Sequence, residues 1–190
     1  MRGKRVSIER AEQPVRFRRA RVGAPSRSRD DGRASAPPAR KEPYGLRAPR
    51  LTSTALMLHI RVGDLLFQAR FEDQLAPRTC AAFRAILPLR ATLLQARWSG
   101  EAAWVPLGDL DLGVPVESGT QRPTPGQLLF YPKGLSETEI LVPYGATVFG
   151  SKAGPLVGSH FLTVVSAVER LPELGRRVLY QGAMGIYFDL

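Results

Sequence analysis

The chain has almost no cysteine or histidine and no long apolar run, and each shortage excludes something. Cys80 is the only cysteine, so no intrachain disulfide can form. Its flanks, Thr79 and Ala81-Ala82-Phe83, place it as a small buried hydrophobe on a helix rather than a reactive thiol. The two histidines, His59 and His160, form no His-x-His pair, and no Cys-x-x-Cys occurs, so neither a metal site nor a cofactor is expected. No Gly-x-Ser-x-Gly elbow is present, and Gly150 to Gly158 lacks the spacing of a phosphate loop. No apolar run approaches the ~18 residues of a membrane span. Residues 1–30 hold no apolar core of a signal peptide. The expectations are a cytoplasmic protein with no membrane partner.

Charge is abundant but uneven. Of 27 Lys and Arg, 15 lie in residues 1–56, against 5 of the 17 acids. That leaves 12 of each sign for residues 57–190, which are neutral by count. A basic folded face is therefore not indicated, and specific nucleic-acid binding is not expected. Residues 1–50 are rich in Arg, Pro, Ser and Ala without apolar periodicity, which predicts disorder. An organelle transit peptide would be poor in acids, and Glu9, Glu12, Asp30, Asp31 and Glu42 argue against one. A basic arm for nucleic acid or membrane competes with a misassigned start upstream of Met57, the reading preferred for 1–56.

From Met57 the pattern changes to short strands. Met57–Val62 and Leu65–Phe71 form a hairpin around Gly63-Asp64. Pro77 suits a first helical turn, with Asp73 as a candidate cap, and Leu75, Thr79, Phe83, Ile86 and Leu87 recur at helical spacing. Gly126–Tyr131, Glu137–Val142, Ala146–Phe149 and His160–Val168 are further strand candidates, separated by turn residues such as Pro143-Tyr144-Gly145. Residues 108–125 read as a long loop. The spacing predicts a mostly β fold, a closed or partly closed β-barrel with one or two capping helices. The barrel is assigned to 57–170, and 171–190 to a C-terminal helical extension packing on it.

The central hairpin, Leu93 to Leu107, turns at Ser99-Gly100. A two-residue loop there sets Gln95 opposite Trp104 and Arg97 opposite Ala102. One face then carries Leu94, Ala96, Trp98, Glu101, Ala103 and Val105, and looks like core. The other brings Arg97 diagonal to Trp104, within reach of a cation on an indole.

Several of these stretches also carry a resemblance. PRTCAAFRAIL resembles the first helix of cyclophilin-like barrels. RWSGEAAW, PGQLLFYP, SETEI, PYGATVFGSKAG and GSHFLTVV, in that order, resemble a small bacterial cyclophilin-like family of uncharacterised function, from about Met57 to Val168. The resemblance implies a cyclophilin-like barrel and brings no reaction with it. Ser118 and Ser159 stand where the family pattern has Asn.

Candidate binding residues are the polar and aromatic groups set in apolar strands or in turns: Arg97, Trp104, Glu137, Tyr144, Lys152 and His160. If they converge at one mouth of the barrel, they form a cationic and aromatic wall for a small planar or anionic molecule. Glu139 shares a strand face with Glu137. A small-molecule binding domain is the preferred function. An enzyme using Glu137 or His160 as acid or base, with Arg97 as clamp, is the alternative. Prolyl isomerisation is disfavoured, because the Phe-Met-x-Gln segment with its upstream arginine is missing. Homo-oligomerisation stays open.

Limited proteolysis is expected to trim the chain to near Met57 without lowering its melting temperature. A protected fragment that keeps residues 1–50, or unfolding upon their removal, contradicts the assignment.

Overall fold

A computed structural model describes residues 56–190. The leader assigned to 1–56 lies outside the described residues, apart from Leu56. In chain order the elements are β1 (Leu58–Val62), β2 (Leu65–Phe71), α1 (Pro77–Ala85), β3 (Leu89–Gln95), β4 (Gly100–Gly108) and β5 (Gly119–Thr120). They continue with β6 (Gln127–Tyr131), β7 (Thr138–Thr147), β8 (Gly150–Ser151), β9 (Gly154–Pro155), β10 (Gly158–Ser166), α2 (Leu171–Gln181) and β11 (Met184–Asp189).

Eight strands close into an antiparallel barrel. Their order is β2-β1-β11-β3-β4-β7-β6-β10, and β10 pairs back onto β2. The alternation read in the first hairpin is realised directly: every second residue of β1 and β2 is buried. Inward residues such as Leu58, Leu65, Leu93, Leu128 and Ile140 are fully buried, so the barrel interior is a packed core and not a pore.

Helix α1 caps that core. Phe83 enters it edge-on to Phe161 of β10 at 5.0 Å and to Phe188 of β11 at 5.5 Å. Cys80 lies beside it, fully buried, and burial pushes its thiol up to about 11. Pro77 opens the helix as expected, but Asp73 does not cap it. Asp73 binds Arg84 through two hydrogen bonds of 2.6 and 2.8 Å. The first-turn donors go instead to Glu117, from the long loop. The backbone N–H groups of Arg78 (3.2 Å) and Thr79 (2.8 Å) and the Thr79 hydroxyl (2.8 Å) all donate to its carboxylate. The Glu117 N–H donates to the buried Ser159 hydroxyl at 2.9 Å, so the long loop is held at both ends of one residue.

Two assignments are corrected. Residues 171–190 are not an extension packed on a finished barrel. After α2 the chain enters β11, which lies between β1 and β3 and pairs with both. Ile186 and Phe188 face the core while Tyr187 faces out. Composition reveals an apolar segment here; only its remote partners reveal a staple. Pro143-Tyr144-Gly145 is not a turn either. β7 runs through it, because Pro143 sits opposite Ala102 at a break in the ladder, where a missing N–H costs no pairing. Beyond it, Tyr144 lies under α2. A Cβ on Gly175 would stand 2.4 Å from the tyrosine ring, so this close approach requires glycine. Among the described residues no helix is long and apolar enough to cross a membrane.

Deletion of Met184–Leu190 leaves β1 and β3 as two open edges. The expected result is loss of the cooperative thermal transition and of amide dispersion. A truncated chain that melts cooperatively near the full-length temperature contradicts the closure described here.

Candidate functional site

The register of the β3–β4 hairpin differs from the expected one by a single residue. Leu94 lies opposite Trp104 and Gln95 opposite Ala103, and the Ala96 N–H donates to the Ala102 carbonyl at 2.9 Å. The connection therefore bulges out over residues 97–99. Gly100 makes the bend with φ +80°, and a Cβ there would stand 2.7 Å from the Ala146 carbonyl oxygen. A one-residue slip exchanges the faces of one strand relative to the other. Trp98, expected in the core, is 58% exposed. No cation–π pair joins Arg97 to Trp104 among the described residues.

The slip takes Ala96 off the expected core face and sets it with Trp104 on the outer side of the barrel wall, where a second, smaller core has formed. Ala102, Leu129, Tyr131 and Leu141 supply the wall side of it. The residues after β7 fold back over this wall as the short β8–β9 ribbon and contribute Phe149 and Leu156. Phe149 packs edge-on to Tyr131 at 5.9 Å. Ser99 ties the ribbon to the hairpin turn. Its hydroxyl donates to the Gly150 carbonyl at 3.0 Å and accepts the Gly150 N–H at 3.2 Å, and its own carbonyl accepts the Val148 N–H at 3.1 Å.

Between turn, ribbon and wall lies a cleft of about 250 Å³. Arg97 and Trp98 line it from the turn, Trp104 from β4, Lys152 from the ribbon, Leu135 from the loop before β7, and Glu139 from β7 itself. Both tryptophans of the chain line this one cleft. Neither Arg97 nor Lys152 makes an ion pair among the described residues.

Glu139 is the most perturbed acid here. Its residue is 5% exposed, and no hydrogen bond from the described residues reaches its carboxylate. Burial, reinforced by the charge of Glu137, pushes its pKa up to about 7. Its cross-strand neighbours, Pro106 on β4 and Tyr131 on β6, bring no charge.

Of the six residues proposed from sequence, the structure brings Arg97, Trp104 and Lys152 to this cleft. The other three lie elsewhere. Glu137 accepts the Gly108 N–H at 2.9 Å. Tyr144 donates to Gln95 at 2.9 Å beneath α2. His160 is 2.8 Å from the Thr163 hydroxyl, which donates to Glu72 at 2.5 Å, and burial lowers its pKa. The cleft is on the outer wall rather than at a mouth of the barrel. Trp98, Ser99 and Leu135 join it without having been proposed, and so does Glu139, which the sequence offered only beside Glu137 on one strand face. Glu139 was within reach of the alternation along SETEI; the folding-back of the ribbon that encloses it was not. A second, shallower hollow of about 370 Å³ lies across β1, β11 and β3. There Arg61 and Arg90 stack on Tyr187 at 5.0 and 5.2 Å.

A closed eight-stranded antiparallel barrel with a capping helix is consistent with the cyclophilin-like class. The chain belongs to the family described as "Protein of unknown function (DUF3830)", which matches residues 58–190. Among solved structures it is similar to McbB in complex with tryptophan, at 16% identity and a TM-score of 0.56. That match covers 70% of this chain and 44% of McbB, so the chain spans under half of its length. It is also similar to the solution structure of the hypothetical protein AF2241 from Archaeoglobus fulgidus, at 14% identity and a TM-score of 0.49, covering 71% of this chain and 94% of that one. No curated protein matches. At 16% identity the likeness to McbB is one of fold.

Two outcomes follow from this geometry. Ser99→Ala leaves both Gly150 backbone groups without their partner and is expected to cost about 1–2 kcal/mol; an unchanged urea midpoint contradicts the tie. A carboxyl with a raised folded pKa binds more protons in the native state than in the unfolded one. Its contribution to stability is therefore lost as pH rises from the ordinary carboxylate range through about 7. Glu139→Gln is expected to remove a loss on the order of 2 kcal/mol between about pH 5 and 8. Parallel stability–pH curves for the two proteins contradict this.

Proposed function

We propose that the outer-wall cleft binds a small planar organic anion. One observation carries the reading: two tryptophans and two cations without ion pairs, from three separate elements, line one cavity. Indole faces supply area to a planar ring, and an arginine and a lysine without carboxylate partners supply its counter-charge. A volume of about 250 Å³ suits a molecule of one or two rings. The McbB likeness brings no ligand across. A cytoplasmic location is part of the same reading.

Catalysis in this cleft is the second reading, and Glu139 favours it. A half-protonated carboxyl near neutral pH beside a bound anion is suited to proton transfer. Turnover of a bound compound, abolished in Glu139→Gln, separates enzyme from binder.

The test is quenching or enhancement of tryptophan fluorescence on titration with aromatic carboxylates, benzoate being the smallest. Arg97→Ala is expected to weaken binding about tenfold or more. Its stability should stay within about 0.5 kcal/mol, since an exposed cation contributes little to folding. Trp104→Ala is expected to lose both affinity and stability. Equal affinity in Arg97→Ala overturns the assignment.

A further inference from the structure

Glu139 does not fit a site made for an anion alone. A carboxylate in the wall of an anion site repels its ligand. Here it is nearly buried, and no donor from the described residues satisfies it. Among the described residues no buried side-chain oxygen lacks a partner, so the Glu139 oxygens open onto the cleft, where a donor on a ligand can reach them. The neighbouring side chains do not relieve it. Pro106 has neither charge nor donor. The Tyr131 hydroxyl is engaged as acceptor of the Leu135 N–H at 2.9 Å. Glu137, the one charge that acts on it, is of the same sign and is itself committed to the Gly108 N–H. The two cations of the cleft are carried on turns, one on the hairpin and one on the ribbon, whereas Glu139 belongs to the strand wall.

We propose that the cleft takes a dipolar ligand, a planar ring with an anionic group for Arg97 and Lys152 and an N–H donor, amidine-like or amino, that Glu139 accepts. The inference rests on the anion-binding reading above and narrows it to a ligand class. Such a ligand supplies the missing donor and a compensating charge in one step. The same carboxylate then discriminates against plain aromatic anions, which leave it unpaired.

Three probes of one ring size separate the parts: benzoate, benzamidine and 4-amidinobenzoate, followed by tryptophan fluorescence with the full chain. At about pH 8, where Glu139 is charged, 4-amidinobenzoate is expected to bind about tenfold or more tightly than benzoate. At about pH 5, where Glu139 is protonated, that advantage should fall to about twofold or less, although both probes keep their own charges. Glu139→Gln should abolish the advantage at both pH values. Its cooperative melt serves as the control for folding. If benzoate binds and 4-amidinobenzoate gains nothing over it, the dipolar inference fails while the anion reading stands. An advantage that survives in Glu139→Gln also overturns it, because the donor is then held elsewhere. If none of the three binds, the anion reading fails and this inference with it.

Discussion

Closure of the barrel by its last strand is the constraint on which everything else rests. β11 donates both of its edges, one to β1 and one to β3, and its inward residues Ile186 and Phe188 join a core contributed by the other seven strands of the barrel. Phe83 from α1 then meets Phe188 and Phe161 within one aromatic cluster. The helix that caps the core and the strand that closes the wall thus stabilise each other through the same contacts. A closed barrel has no free sheet edge, which leaves the outer wall available for other uses.

One part of that wall has been used. Apolar side chains on the outer faces of β4, β6 and β7 form a second core only because the β8–β9 ribbon folds back over them. Ser99 holds ribbon and hairpin turn at a fixed distance, and the gap they leave is the cleft. Its cations come from turns, and its carboxylate from strand β7. Adaptable cations on turns over an immobile carboxylate is a common division of labour in binding sites.

The strands, the early helix and the neutral charge of residues 57–190 were legible in the sequence because each is a local property. Alternation in LHIRV and LLFQARF, the helical spacing through Phe83, and Pro77 at the first turn all act within a few residues. What was misread depended on distant partners. The register at Ser99-Gly100 is decided by Gly150, 50 positions away from Gly100 in the numbering, and a two-residue loop was the natural local choice. β11 looks like any apolar tail until β1 and β3 are placed. Half of the candidate site was legible: Arg97, Trp104 and Lys152 stand in turns or on an outward face. Tyr144 and His160 carry the same chemistry but are held by Gln95 and Thr163. The choice between Glu137 and Glu139 turned on a backbone donor, Gly108, that no spacing rule reveals.

The most direct test of the cleft as a binding site is a map of where a ligand touches the protein. Titrating 15N-labelled protein with 4-amidinobenzoate while following its two indole N–H resonances and backbone amides provides one. The account predicts that both indole signals, from Trp98 and Trp104, and the amides of Ser151, Lys152 and Ala153 shift together with one saturation curve. Shifts that leave the indoles still and gather around Arg61, Tyr187 and Arg90 would contradict it.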